Sequence, residues 1–398
     1  MAAKKLLEID GSVMEGGGQM LRISVSLSTI LETPIKIHKI RAGRASPGLK
    51  AQHLTGLSLV REICNGKLEG GSFGSKEIAF SPGQMNGGEY AADTQNAGAV
   101  CLLAQIALPC ALFAPSSIVL NLRGGTNADM APQIDEFTEV FLANLRHFGP
   151  IVEYEETYQT CHCSYVYFNR QNMLYFLQLI KLHKKLNLGC TSVKNPFYFN
   201  ADPDPEPGSA LEKVWIRSRT QIVSVTGWCF VAGSLPLKVA DSIVKACKEE
   251  LHAANSPALR GVKINIEAYK ESASASCGNG SGIVLVAKTT TGCVLGGSAL
   301  GSPKVSTEET GRKAATEFLE AVECGGCVDK YIQDQMIIFM ALAAGDSALC
   351  TGPLTLHTES AIHIAEQLTG AKFTISNDAN SNSWLIRCSG IGFRNKYI

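Results

Sequence analysis

The sequence predicts an α/β protein of the mixed, α+β kind whose core repeats one small βα unit. Two recurrences carry that reading. A short alternating strand that turns through a Gly- or Thr-rich corner into a helix with an apolar face occurs at Leu6 to Leu31, at Val119 to Leu142 and at Leu354 to Leu368. A polar, acidic start leading into an apolar helical stretch occurs at Asp93 to Ala114 and again at Asp329 to Ala344. Each unit is too small to bury its own apolar face, so the units must pack on one another. The chain has 398 residues, 45% of them apolar, which is ample for such a core and exceeds one typical domain.

Taken in order, the first unit ends its strand at Glu8-Ile9-Asp10 and turns through Gly16-Gly17-Gly18. Asp93 to Ala114 and Asp329 to Ala344 read as apolar helices broken by polar residues, among them Gln105 and Gln335. A glutamine in such a stretch is costly unless it is paired or faces a ligand, so both readings stand. Val239 to Leu251 has helical spacing at Val239, Ile243, Val244 and Cys247, while Gly261 to Tyr269 and Ile283 to Lys288 read as strands. Gly278 to Gly282 between them reads as a hairpin loop, because it lacks the Lys-Ser/Thr ending of a phosphate-binding loop. In the last unit the alternating run Pro353 to Leu356 reads as a strand, with Thr358 capping a helix that runs to Leu368. That places His357 at a helix start, where amide N–H groups and the dipole favour anions. An imidazole there can attack phosphorus; the bland alternative is a loop histidine that ends a strand.

Bulk properties exclude several classes. The apolar run Ala99 to Ala114 is interrupted by Gln105 and Pro109, so no membrane-spanning helix and no membrane partner is expected. No basic segment followed by an apolar core opens the chain, which argues against secretion. The fourteen cysteines are scattered through apolar segments and read as buried, reduced thiols of a cytosolic or nuclear protein. A formal charge of zero argues against non-specific coating of nucleic acid, yet allows a local grip by Arg22, Arg41, Arg44 and Lys50. Cys324-Gly325-Gly326-Cys327 lacks a second half at zinc-ligand spacing.

Five segments in a fixed order narrow the reading. They are Glu8 to Arg22, Arg41 to Leu54, Gly124 to Asp135, Tyr331-Ile332-Gln333-Asp334-Gln335 and Pro353 to His363. Together they resemble the RNA 3'-terminal phosphate cyclase family in its eukaryotic form, over roughly residues 6 to 155 and 220 to 398. The resemblance implies a large core domain of repeated βαβαββ-type units, in residues 1–214 and 303–398, with a smaller α/β domain inserted at 215–302. It implies an enzyme that uses ATP to close a 2',3'-cyclic phosphate on RNA 3' ends through histidyl-AMP and RNA-adenylate intermediates, in the nucleoplasm or the cytosol, and a homodimer is compatible with it.

By the same resemblance His357 is the nucleophile, and Gln105, Pro132, Tyr331, Asp334 and Gln335 match the family's nucleotide pocket. Tyr331 and Pro132 would sandwich the adenine, with Asp334 accepting from its exocyclic amine. Arg22, Arg41, Arg44, Gln52 and His53 match positions that hold the phosphates of RNA or ATP, a task the planar arginine fork suits. Glu15 is the matching ligand for Mg²⁺ or Mn²⁺; read bare, it is a carboxylate complementing a helix start. The rival class is a cyclase-like assembly factor of ribosome biogenesis without catalysis, against which the retention of His357, Tyr331, Asp334 and Gln335 speaks. One stretch departs from the family. About residues 159–208 the composition turns to Tyr, Phe, Leu, Lys and Asn, and an expected Tyr-Tyr-Pro-Lys-Gly-Gly-Gly core segment is missing. The stretch reads as sequence carried in by a splicing or gene-model error, in preference to a divergent surface helix at Met173 to Leu186.

Overall fold

The computed structural model describes residues 5–95, 98–149, 153–156, 164–169, 215–216, 221–272, 278–377 and 382–395. Three of its four sheets repeat one topology. The first is built from β1 (Leu7–Asp10), β2 (Ile35–His38), β3 (Lys67–Glu69) and β4 (Ile78–Ser81), in the order β1-β2-β4-β3. Helices α1 (Gly18–Leu31) and α2 (Ala51–Ile63) alternate with its strands. The second sheet uses β5 (Gly88–Asp93), β6 (Ile118–Gly124), β7 (Glu153–Glu156) and β8 (Ser164–Asn169) in the order β5-β6-β8-β7. Its helices are α3 (Val100–Leu112) and α4, which runs through Ile134–Glu136, a π-turn at Phe137–Phe141 and Leu142–Leu145. In both sheets the first two strands are parallel, joined through a helix, and the next pairing is antiparallel.

A third sheet, of β9 (Trp215–Ile216), β14 (Ala344–Thr351), β15 (Lys372–Asn377) and β16 (Trp384–Ile391), has the matching order β9-β14-β16-β15. Helices α7 (Gln333–Leu342) and α8 (Leu356–Thr369) belong to it. The repeat expected from the sequence is therefore a βαβαββ unit used three times. Between β9 and α7 stands a different sheet, of β10 (Ile222–Ala232), β11 (Ile264–Lys270), β12 (Gly280–Thr289) and β13 (Val294–Leu300), with helices α5 (Leu237–Ala253) and α6 (Thr307–Glu323).

Burial follows these units. One core joins the three repeats, and its innermost helices α3 and α7 are apolar on nearly every face because they are covered on nearly every face. A second core joins residues from Ile222 to Val322, so α6 packs with β12, β13 and α5. α5 buries only the stripe Ala240, Ile243, Val244, Ala246, Cys247 and Leu251. Ser306 caps α6 by accepting from Glu309 N–H at 3.1 Å, and Glu308 and Glu309 complement its dipole. Asn144 ties α4 to the inserted sheet, donating from Nδ2 to Val294 O in β13 at 2.7 Å. The ten cysteines among the described residues are thiols outside any disulfide, and all but Cys324 are buried. No helix among them is long and apolar enough to cross a membrane.

Three local readings change. The run Pro353 to Leu356 is not a strand, since β14 ends at Thr351 and α8 begins at Leu356. Its cap is Thr355, not Thr358: Thr358 N–H donates to Thr355 Oγ1 at 3.2 Å. The deciding contact comes from far along the chain, because Gln333 Oε1 accepts from Thr355 N–H at 3.2 Å and from the Thr358 hydroxyl at 2.6 Å. The glycines before β12 do not make a hairpin with β11 either. β10 lies between those strands, parallel to β11 and antiparallel to β12, so the link crosses over a strand. The stretch 159–208 falls mostly outside the described residues, but its Ser164–Asn169 is β8, antiparallel to β6 from Val119↔Asn169 to Gly124↔Ser164.

Candidate active site

Helix starts from all three repeats meet at one place. Glu15 precedes α1, Gln52 and His53 stand in the first turn of α2, Asp334 in that of α7 and His357 in that of α8. Gln52 Oε1 accepts from Ala99 N–H, the residue capping α3, at 3.4 Å. Each helix brings unpaired amide N–H groups and the positive end of its dipole, so their convergence builds a pocket for a highly charged anion.

Glu15 is the hinge of the arrangement. Its side chain is 8% exposed; Oε1 is paired with Arg44, and Oε2 faces His357 Nδ1 at 3.9 Å without a hydrogen-bond partner. Its backbone N–H donates to Ser360 Oγ at 3.2 Å, and Ser360 in turn donates to Leu356 O at 2.7 Å. The loop before α1 is thereby stitched to the helix that carries His357. Gly17 makes room for this: a Cβ there would lie 2.0 Å from Glu15 Oε1.

His357 is half-buried at the second residue of α8. Burial first, then the charges of Arg22 and Arg44, hold its imidazole below the ordinary value of 6.5, so the neutral ring is the form present at pH 7. His53 is pushed further, to about 4, by burial and then by Arg22, Arg41 and Lys50. Its Nδ1 accepts from Lys50 N–H at 3.1 Å, which leaves the proton on Nε2 as a donor. That Nε2 faces α1, where a Cβ on Gly18 would come within 2.6 Å of it. Arg22 lies with Gln52 and His53 along one pocket and makes no ion pair within 4 Å among the described residues. A part-buried guanidinium that no carboxylate pairs directly, with Asp334 acting on it only as a more distant charge, is a standing invitation to phosphate.

The sequence-derived residues thus divide. Glu15, Arg22, Arg44, Gln52, His53, Asp334 and His357 are drawn together. Asp334 is buried, and burial raises its carboxyl to about 7 although the neighbouring Gln19 amide and the Arg22 charge draw it down. Gln335 Nε2 donates to Tyr331 O at 2.7 Å while its Oε1 is buried and unpartnered. Tyr331 is 40% exposed, and its hydroxyl donates to Glu317 at 3.1 Å. Gln105 and Pro132 are half-buried on α3 and just before α4. Arg41 is turned into its own loop, where it donates to Ser46 O at 2.9 Å and Gly48 O at 3.2 Å.

Sequence reasoning passed over four residues. Ser360 is a buried partner of Glu15, and Gln19 is buried beside Asp334, whose carboxyl it draws down. Gln333 is fully buried and ties Thr351, Pro353, Thr355 and Thr358 to the start of α7, which sets the position of His357. Asn127 is buried with both side-chain heteroatoms unpartnered. The available signal was a polar residue inside a quoted motif but off its recognised positions.

A carboxylate oxygen without a hydrogen bond suits a divalent cation. No group of three His, Cys, Asp or Glu among the described residues forms a protein cage for one. Single-carboxylate attachment, with phosphates and water completing the shell, is the way Mg²⁺ is ordinarily held beside a nucleotide, so Glu15 fits.

Comparison with known proteins identifies the family. The family model for RNA 3'-terminal phosphate cyclase matches residues 13–375. The RNA 3'-terminal phosphate cyclase of Drosophila melanogaster is 37% identical over 398 residues, covering all of both chains, the stretch 159–208 included. A probable RNA 3'-terminal phosphate cyclase of Dictyostelium discoideum is 34% identical over 97% of this chain and 83% of its own. The RNA 3'-terminal phosphate cyclase of Pyrococcus furiosus is 34% identical over 93% of this chain and 95% of its own. With the motifs, the repeated unit and full-length similarity in agreement, the chain belongs to the RNA 3'-terminal phosphate cyclase family.

Proposed function

We propose that this chain uses ATP to convert an RNA 3'-terminal phosphate to a 2',3'-cyclic phosphodiester through two adenylylated intermediates. The observation that carries the reading is the meeting of helix starts around a neutral histidine and an unpaired arginine. Glu15 faces Nδ1 of His357 and favours a proton there, leaving the Nε2 lone pair for attack. In the first step Nε2 bonds to the α-phosphorus of ATP and the bond to the β-phosphate oxygen breaks, releasing pyrophosphate. In the second an oxygen of the RNA 3'-phosphate displaces histidine from that phosphorus. In the third the neighbouring 2'-oxygen bonds to the 3'-phosphorus as its proton is lost, and AMP departs with the electron pair. The last step is easy because nucleophile and phosphorus are held on one ribose.

Arg22, His53 Nε2–H and the helix starts would hold the phosphates. Tyr331, Pro132, Asp334, Gln105 and Gln335 would hold the adenosine. Mg²⁺ or Mn²⁺ on Glu15 would neutralise phosphate oxygens when bound. The non-catalytic assembly-factor reading leaves this set of residues without a purpose. The test is incubation with ATP, Mg²⁺ and an RNA ending in 3'-phosphate. The expected result is an end resistant to phosphatase, with one AMP and one pyrophosphate per end; an end still open to phosphatase rejects the proposal.

Gly17→Ala offers a second check. Its new Cβ displaces the Glu15 carboxylate, so the variant should lower enzyme adenylylation roughly 100-fold, the order expected for a misplacement of about 1 Å. Glu15→Ala should show a similar loss, and the unfolding midpoint of Gly17→Ala should stay near wild type, because the clash is with the end of a side chain.

A further inference from the structure

Phe73 is 69% exposed, yet its loop is firmly held. Gly74 N–H donates to Leu49 O at 2.8 Å, Leu49 N–H to Ser75 O at 2.9 Å and Ile40 N–H to Lys76 O at 3.0 Å. Gly48, at φ +81°, backs so closely onto this loop that a Cβ would lie 2.2 Å from Gly74 O. The Phe73 loop is thus clamped to the loop that carries Arg41 and Arg44. Lys50 Nζ stands 5.3 Å from the centre of the Phe73 ring. Lys50 also caps α2, where its backbone N–H donates to His53, so the cation beside the ring belongs to the helix start that carries Gln52 and His53.

A large ring held in water adds little to the fold, since its apolar surface stays hydrated. An aromatic face next to a cation is the pairing by which proteins hold single-stranded nucleic acid, with the base stacked and the phosphate neutralised. We propose that Phe73 is the platform on which one unpaired base near the RNA 3' end stacks, with Lys50 on the adjoining phosphate. The proposal rests on the cyclase reading for the identity of its ligand, and it makes recessed duplex ends poor ligands.

The experiment is the Kd of fluorescent, 3'-phosphorylated RNA for wild type, Phe73→Ala and Phe73→Trp, using RNAs made abasic at each of the last three nucleotides in turn. Phe73→Ala should raise Kd about tenfold and Phe73→Trp should not. At one of the three positions the abasic RNA should weaken wild type by that same factor and leave Phe73→Ala unchanged. Equal Kd for wild type and Phe73→Ala overturns the stack, as does independent addition of the two losses at every position. Labelling by α-³²P-ATP without RNA is run beside each protein. An enzyme that labels but shows no Phe73 effect rejects the stack alone, whereas a wild type that never labels rejects the cyclase reading and the stack with it.

Discussion

His357→Ala is expected to carry no label after incubation with α-³²P-ATP and Mg²⁺, while wild type acquires one that is acid-labile and alkali-stable, as a phosphoramidate is. Cyclisation should fall by at least about 10³-fold, because loss of a covalent nucleophile is not replaced by the surrounding binding groups. The variant should still fold. The side chain is 50% exposed and caps nothing, so stability should change by roughly 0.5 kcal/mol or less. A label on folded His357→Ala would remove this residue from the first step. The pH dependence follows from the same environment. Attack needs the neutral ring, and burial with two nearby arginines holds the imidazole below 6.5. Labelling should therefore be level above neutrality and fall on the acid side through a pH below 6.5, as protonation removes the lone pair.

Arg22→Ala is the second large effect. Arg22 is shared by the whole site: its charge depresses His53 and His357 and draws down the carboxyl of Asp334. With Arg22 as the phosphate-holding cation of the proposed reaction, its loss should lower labelling by about 10²–10³-fold. It should also move the acid limb of the labelling profile upward, because one of the charges that disfavours protonated His357 is gone. Arg22→Lys should restore much of the limb but less of the rate, since the ammonium keeps the charge and lacks the fork. An Arg22→Ala profile with an unmoved limb would mean that burial alone sets His357, and would confine Arg22 to binding.

The two predictions draw on different kinds of information. That His357 stands at a helix start was legible in the sequence, because threonines able to cap a helix lie close to it on both sides. So was the repeated βα pattern, whose periods of two and 3.6 are local. The fold class followed from that repetition. The identity of the helix cap was not legible. Thr355 and Thr358 are chemically equal candidates, and the choice between them lies with Gln333, more than twenty residues away along the chain. The crossing of β11 and β12 was hidden for a similar reason, since strand order depends on which edges meet, not on the length of the intervening glycine run.

What the sequence determined by itself is the class of the fold, the family and the chemical types present at the site. Those are properties of residues and of their near neighbours. Tertiary structure decided which groups act on which. It set Glu15 against His357 across 342 positions, turned Arg41 into its own loop while leaving Arg22 without an ion pair, and made His53 a neutral donor. The physical reason is that charge, burial and hydrogen bonding act through space. A pKa or an unpaired oxygen belongs to an environment, and an environment assembled from the starts of five helices is written in no single segment of the chain.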